Sequence, residues 1–230
     1  MLEPNVDYLY EIIGILSKAD LPIVFKGANV TNALLMEANS PYIRRTTDID
    51  SSWHGINPTT ENIEEMLREA LLPYGYNVVK VRELDGIHQS AGFKILKNDL
   101  PITKIDIDIH KVNEYKAYSV GTVEFNGVLL EDILVDKLCC ASKPQIYRRV
   151  KDIMDIYSLT QTAEIRINKI FDKIKASDNE LADFHEFLNN KDKIREAYDN
   201  LKAVNKPDFD NVYSCLVNYA NELNKLRKND

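Results

Sequence analysis

The chain has 230 residues, 44% hydrophobic and 28% charged, which suits one large soluble domain or two smaller ones. A net charge of −7 argues against a generally basic nucleic-acid binder, and no apolar run approaches the roughly 18 residues that a membrane-spanning helix needs. Cys139, Cys140 and Cys215 show no C-x-x-C spacing, and the early residues carry acids where a signal peptide would be basic, so free thiols and a cytoplasmic location are expected.

Residues 4–19 predict a helix whose apolar face is Ile12, Ile13, Ile15 and Leu16. "PIVF" (22–25) is a short strand, and "KGANVTNALLMEA" follows as a glycine turn and a second helix. "TTDIDSSW" (46–53) is the next strand. "PTTENIEEMLREALLPYG" has Thr59 or Thr60 as N-cap and acids in its first turn, so it predicts a helix. Three more strands are expected in "YNVVKVREL", "SAGFKILK" and "ITKIDIDIHKV", separated by turn residues, with a short one near "GTVEFNG". From Glu131 onward the pattern is helical, which sets a domain boundary between about 125 and 135.

Two of these strands carry chemistry. In "RRTTDID", Asp48 and Asp50 are two residues apart and share one face of a strand. Two carboxylates about 4 Å apart repel by about 4 kcal/mol at a dielectric near 20. In "ITKIDIDIHK", Lys104, Asp106, Asp108 and His110 alternate with isoleucines. Alone, either strand would be amphipathic with its polar side in water. Side by side they bring several carboxylates together, which requires protonation or neutralising cations. Mg²⁺, a hard ion held by carboxylates and substrate phosphates, is the natural choice. Upstream, Lys26-Gly27-Ala28-Asn29 joins a strand to a helix, whose free N–H groups attract an anion.

This order of parts resembles the nucleotidyltransferase superfamily with the polymerase-β-type fold. More narrowly, it is similar to the AbiEii/AbiGii toxin-like nucleotidyltransferases of bacterial abortive-infection and toxin–antitoxin systems. "FKGANVTNALL" matches the glycine turn and helix. "RRTTDID" matches an R-x-[S/T]-x-D-h-D element through Arg44, Thr46, Asp48 and Asp50, and "TKIDIDI" matches K-x-[D/E] through Lys104 and Asp106. "DKLCCASKPQIYRRVKDIMDIYSL" matches a helical signature through Lys137, Arg148 or Arg149, Lys151, Asp152 and Asp155. The family's usual Gly-Gly or Gly-Ser is here Gly27-Ala28, which keeps the backbone N–H and loses a hydroxyl.

The resemblance implies an α+β fold: a mixed β-sheet core flanked by helices over 1–130, and a C-terminal helical bundle over 131–230 that completes the nucleotide site. It implies transfer of NMP from an NTP such as ATP to an acceptor hydroxyl with the help of two Mg²⁺ ions. Asp48, Asp50 and Asp106 are the implied metal ligands, with Asp108 the alternative on the same strand. Lys26, Gly27, Ala28, Arg44, Thr46, Lys104, Lys137, Arg148, Lys151, Asp152 and Asp155 are the implied nucleotide contacts. On a generic helix, Lys151 and Asp155 would instead form a surface i, i+4 ion pair. The implied acceptor is RNA such as tRNA, a protein or a small molecule, with a cognate antitoxin as partner. The alternative is a non-catalytic relative that binds a nucleotide or a partner.

Overall fold

The computed structural model describes residues 4–229 apart from 57, 86–88, 110, 111, 113 and 204. The chain divides into two compact units, Met1–Ala33 with Arg45–Leu129, and Leu34–Arg44 with Leu130–Asp230. The first holds α1 (Pro4–Lys18), β1 (Ile23–Lys26), most of α2 (Gly27–Glu37), β2 (Asp48–Trp53), α3 (Thr60–Leu71), β3 (Tyr76–Arg82), β4 (Ser90–Lys97), β5 (Leu100–Asp108), β6 (Tyr115–Val120) and β7 (Val123–Val128). The expected α+β architecture is what forms.

The strands make one mixed sheet in the order β3-β4-β5-β2-β1-β7-β6. β2 runs parallel to β5, and β1 runs parallel to β7, while the other neighbours are antiparallel. Alternation in the strands gives the sheet two unlike faces. Val78, Phe93, Ile95, Ile49, Ile105 and Ile107 are buried on one side. Helix α1 packs on β7 and α3, and α3 packs on β3. The helices contribute Leu9, Ile12, Ile13, Leu16, Ile63, Leu67 and Leu71, all buried. Each such side chain is worth about 1.5–3 kcal/mol when fully buried, so this layer is the main source of cohesion for the unit.

Local chemistry explains the turns. Asn98 and Asp99, at φ 52° and 61°, form the two-residue connection between β4 and β5, where left-handed residues match the twist of the strands. Gly121, at φ 60°, does the same between β6 and β7. Sequence patterning missed β6. It is an edge strand with Tyr115, Lys116 and Ala117 exposed, so only Tyr118 and Val120 carry an inward pattern.

The second unit is helical: α4 (Leu130–Ser142), α5 (Val150–Thr160), α6 (Ile167–Ala176), α7 (His185–Asn189), α8 (Lys191–Asp199) and α9 (Phe209–Asn229). Helix α4 packs against α5 and α6, and α9 packs against α5 and α6. Leu138, Ile153, Met154, Ile156, Leu159, Ile170, Val212, Leu216 and Leu223 form the buried centre.

One close approach in the first unit seats α2 on the sheet. A Cβ added to Gly127 would stand 2.9 Å from Val30 Cγ2 and 3.0 Å from Tyr118 Cδ2. The Tyr10 hydroxyl donates to the Asn29 carbonyl at 2.7 Å and ties α1 to the same helix. Gly127→Ala is therefore expected to destabilise the protein by about 1–3 kcal/mol, the cost of overpacking. Denaturant unfolding checks this; an unchanged midpoint would mean that Val30 and Tyr118 give way freely.

Candidate active site

Strand register builds the site. Asp50 on β2 faces Asp106 on β5, Asp48 faces Lys104, and Ser52 faces Asp108. On the other side of β2, Lys26 of β1 faces Asp50. Across β5, Gly92 of β4 faces Asp106, and Arg82 of β3 faces Gly92. Lys26, Asp50, Asp106, Gly92 and Arg82 thus form one row across five strands, on the face opposite the apolar layer.

The start of α2 closes one end of this row. Gly27 has φ 63°, a left-handed conformation that favours glycine. A Cβ at that position would come within 2.3 Å of Asp50 Oδ2. Glycine is therefore required twice, by backbone conformation and by the carboxylate beside it. Asn29 is fully buried, and its Nδ2 donates to the Asp48 carbonyl at 2.9 Å. Ala28 is buried, and the Thr46 hydroxyl reaches the Asp48 carbonyl at 3.4 Å.

The carboxylates on this face are neutralised by the chain itself. Arg82 Nη2 donates to Asp106 Oδ1 at 2.5 Å, and Lys104 Nζ lies 2.8 Å from Asp106 Oδ2. Lys26 pairs with Asp108, whose other oxygen accepts from Ser52 Oγ at 2.6 Å. Asp48 is exposed.

Arg82 and Ser52 are contributors that sequence reasoning missed. A bulge in β3 between Lys80 and Arg82 inserts one residue and turns Arg82, rather than Val81, onto the polar face. The one trace of this in the sequence is Gly92 within "SAGFKILK", since a mid-strand glycine marks close approach.

Hard carboxylate oxygens suit Mg²⁺, and Asp50 and Asp106 are in register on one face, with Asp48 one pleat along and the glycine cradle beside them. The donor set therefore fits the ion. Among the described residues, however, no three His, Cys, Asp or Glu side chains stand together as ready metal ligands. The physical reason is visible in the pairing: Asp106 is held by Arg82 and Lys104, and Asp108 by Lys26 and Ser52.

The helical signature forms a cluster of its own in the second unit. Arg44 grips Asp155 with two bonds, Nε to Oδ1 at 2.7 Å and Nη2 to Oδ2 at 2.8 Å. Lys137 Nζ donates to Asp155 Oδ2 at 2.6 Å and to Asp152 Oδ1 at 3.2 Å. Arg149 Nε lies 2.6 Å from Asp152 Oδ2. Arg44, Lys137, Asp152 and Asp155 are 8, 6, 4 and 1% exposed. Burial would raise the Asp155 carboxyl, but Lys137 and Arg44 outweigh it and hold the group at about 2. Burial would likewise lower the Lys137 ammonium, but Asp155 and Asp152 hold it above the usual lysine value.

This cluster excludes the alternative for a generic helix, a surface pair of Lys151 with Asp155. Asp155 is buried and bonded to Arg44 and Lys137, while Lys151 is exposed. It also ties Lys137 and Arg44 to the stability of the helical unit. Arg148 is exposed, with its guanidinium 5.9 Å from the Tyr147 ring. His110 lies outside the described residues. Trp53 is 9% exposed, and its Nε1 donates to the Ile56 carbonyl at 2.9 Å, which makes it part of the packing.

No family model matches the chain, and no curated protein matches its sequence. Among solved structures it is similar to MenT4, a nucleotidyltransferase toxin from Mycobacterium tuberculosis, at TM-score 0.54 and 13% identity, over 95% of this chain and 91% of that one. It is also similar to an antigenic nucleotidyltransferase-like protein from Paracoccidioides brasiliensis, at TM-score 0.49 and 16% identity, over 84% of this chain and 87% of that one. A third likeness is to the Megavirus polyadenylate synthase, at TM-score 0.45 and 18% identity, over 76% of this chain and 38% of that one. The similarity to MenT4 shows the fold: this chain has the fold of a nucleotidyltransferase. Among the described residues no helix is long and apolar enough to cross a membrane.

The buried cluster makes two outcomes measurable. Asp155→Ala removes the carboxylate that the buried Arg44 and Lys137 share and is expected to cost about 3–5 kcal/mol. Lys137→Ala is expected to destabilise for the same reason, so the fold is not indifferent to it. Because Asp155 is held below its ordinary 3.8, its contribution is fully present above about pH 4 and is lost as pH falls toward 2. Denaturant melts from pH 7 to 2 should show that loss in the wild type and a flatter acid limb in Asp155→Ala. Matching limbs would remove Asp155 from the account.

Proposed function

We propose that this chain is a divalent-cation-dependent nucleotidyltransferase, toxin-like in the manner of the AbiEii/AbiGii proteins, that moves NMP from an NTP to an acceptor hydroxyl. One observation carries the reading. Gly27, left-handed and without room for a side chain, abuts Asp50, and Asp50 is in register with Asp106. A glycine-opened helix beside paired carboxylates brings phosphate-binding N–H groups and acidic oxygens to one place. The fold shared with MenT4, a nucleotidyltransferase toxin, supports the nucleotidyltransferase reading.

In this reading Asp48, Asp50 and Asp106 hold two Mg²⁺ ions, which supply charge neutralisation at the triphosphate. The N–H groups that open α2, from Gly27 and Ala28 onward, donate to phosphate oxygens. Lys26 and Lys104 stand on the same face as further positive charges for the triphosphate. Asp106 receives the acceptor's proton. Register favours Asp106 over Asp108 for this role, because Asp106 lies beside Asp50 and Asp108 lies beside Ser52. Most of the rate would come from orientation and charge neutralisation. The acceptor is RNA such as tRNA, a protein or a small molecule, and a toxin would be met by a cognate antitoxin.

A second reading, a nucleotide-binding protein without catalysis, is favoured by the hold that Arg82, Lys104 and Lys26 already have on Asp106 and Asp108. Labelling separates the two. The protein, Mg²⁺ and a cell extract are expected to transfer label from α-³²P-NTP and not from γ-³²P-NTP. Nuclease and protease treatment of the product then identifies the acceptor class. Asp50→Asn and Asp106→Asn should abolish labelling, while Asp108→Asn should leave much of it. If no NTP donates α-label with Mg²⁺ or Mn²⁺, the binding-only reading prevails.

A further inference from the structure

We propose that Arg82 is a positioning residue for this reaction: it is the resident counter-ion of Asp106, a divalent cation must compete with it for that carboxylate, and the displaced guanidinium then serves the phosphates of the bound nucleotide. The inference rests on the metal-dependent reading above.

Four features of the fold converge on Arg82. The β3 bulge turns it onto the polar face. Gly92, between Arg82 and Asp106 in the row, leaves the path clear. A Cβ there would lie 3.1 Å from Asp106 Oδ1, 3.2 Å from Lys104 Cε and 3.4 Å from Arg82 Cβ. Ser90 holds the guanidinium at two points, its carbonyl accepting from Nε at 2.8 Å and its hydroxyl from Nη2 at 2.7 Å. The same Nη2 then reaches Asp106 at 2.5 Å. A surface arginine that merely filled space would need neither the bulge nor the glycine.

The chemistry follows from charge. Arg82 and Lys104 each bond one oxygen of Asp106, so a doubly charged ion that approaches this carboxylate meets two resident positive charges. An incoming cation that takes those oxygens releases a planar, permanently charged fork. Such a fork binds phosphate oxygens in pairs. Arg82 is 32% exposed, so it can swing without unpacking the core. A metal delivered with a triphosphate meets both halves of the exchange at once, while a metal alone meets only the cost.

Two measurements of opposite sign test this. Mn²⁺ binding to the full chain, followed by the electron paramagnetic resonance of free Mn²⁺, should be about three- to tenfold tighter in Arg82→Gln, the scale of one partly exposed charge pair. The KM for NTP should rise in the same variant by a similar factor. Arg82→Lys should restore much of the competition with Mn²⁺ and less of the phosphate contact. Ser90→Ala, which loosens the arginine and leaves its charge, should shift Mn²⁺ affinity in the same direction by less, and it carries the test if Arg82→Gln does not fold. Mn²⁺ affinity unchanged or weakened in Arg82→Gln, or unchanged in Ser90→Ala where that variant carries the test, overturns the role of Arg82 and leaves the metal-dependent reading in place. A wild type that binds no Mn²⁺, with or without NTP, overturns both.

Discussion

Everything at the polar face depends on one constraint: β2 and β5 run parallel and in register, so Asp50 and Asp106 are neighbours. Like charges at that spacing must be neutralised. The chain does it with Lys26, Lys104 and Arg82, each from a different strand. The sheet is thereby stable as built. The same pairs set a threshold that any external cation must exceed. Stability of the sheet and readiness to bind are therefore opposed at Asp106.

The glycines serve this constraint by leaving space. Gly27 admits the Asp50 carboxylate to the foot of α2, and Gly92 admits the reach of Arg82 to Asp106. Gly127 lets α2 settle on the sheet, so that the helix start stays beside the acids. Each absent side chain is as specific as a contact, because a single Cβ would meet a carboxylate oxygen or a packed neighbour.

The helical unit solves a similar electrostatic problem in a drier setting. Asp155 is almost fully buried, and its two oxygens are shared between Arg44 and Lys137. Desolvation of these charges is costly, and the attraction offsets it only because the geometry is bidentate and both oxygens are used. Residues that a motif reading assigns to a nucleotide are here also what keeps the unit's interior neutral. Binding and structure need not be separate roles for such groups, but any change at them will be felt first in stability.

Much of this was legible from local pattern. Strand alternation around Asp48, Asp50, Asp106 and Asp108, the glycine turn at Gly27 and the change to helices near Glu131 follow from periods of two and 3.6 residues, which are properties of neighbours in the chain. The family resemblance supplied the α+β class, while β6, an edge strand with four of its six residues exposed, left too weak an alternation to see. Three features were set only by tertiary structure. Arg82 reaches the acids through a bulge, and a one-residue insertion in strand pairing has no signature in the strand's own pattern. Arg44 is four residues before Asp48 in the chain and yet binds Asp155, 111 positions away, because a guanidinium goes where a buried carboxylate must be neutralised. The choice between Asp106 and Asp108 as the neighbour of Asp50 is a matter of register, and register is decided between strands by which residues pair, not within either strand.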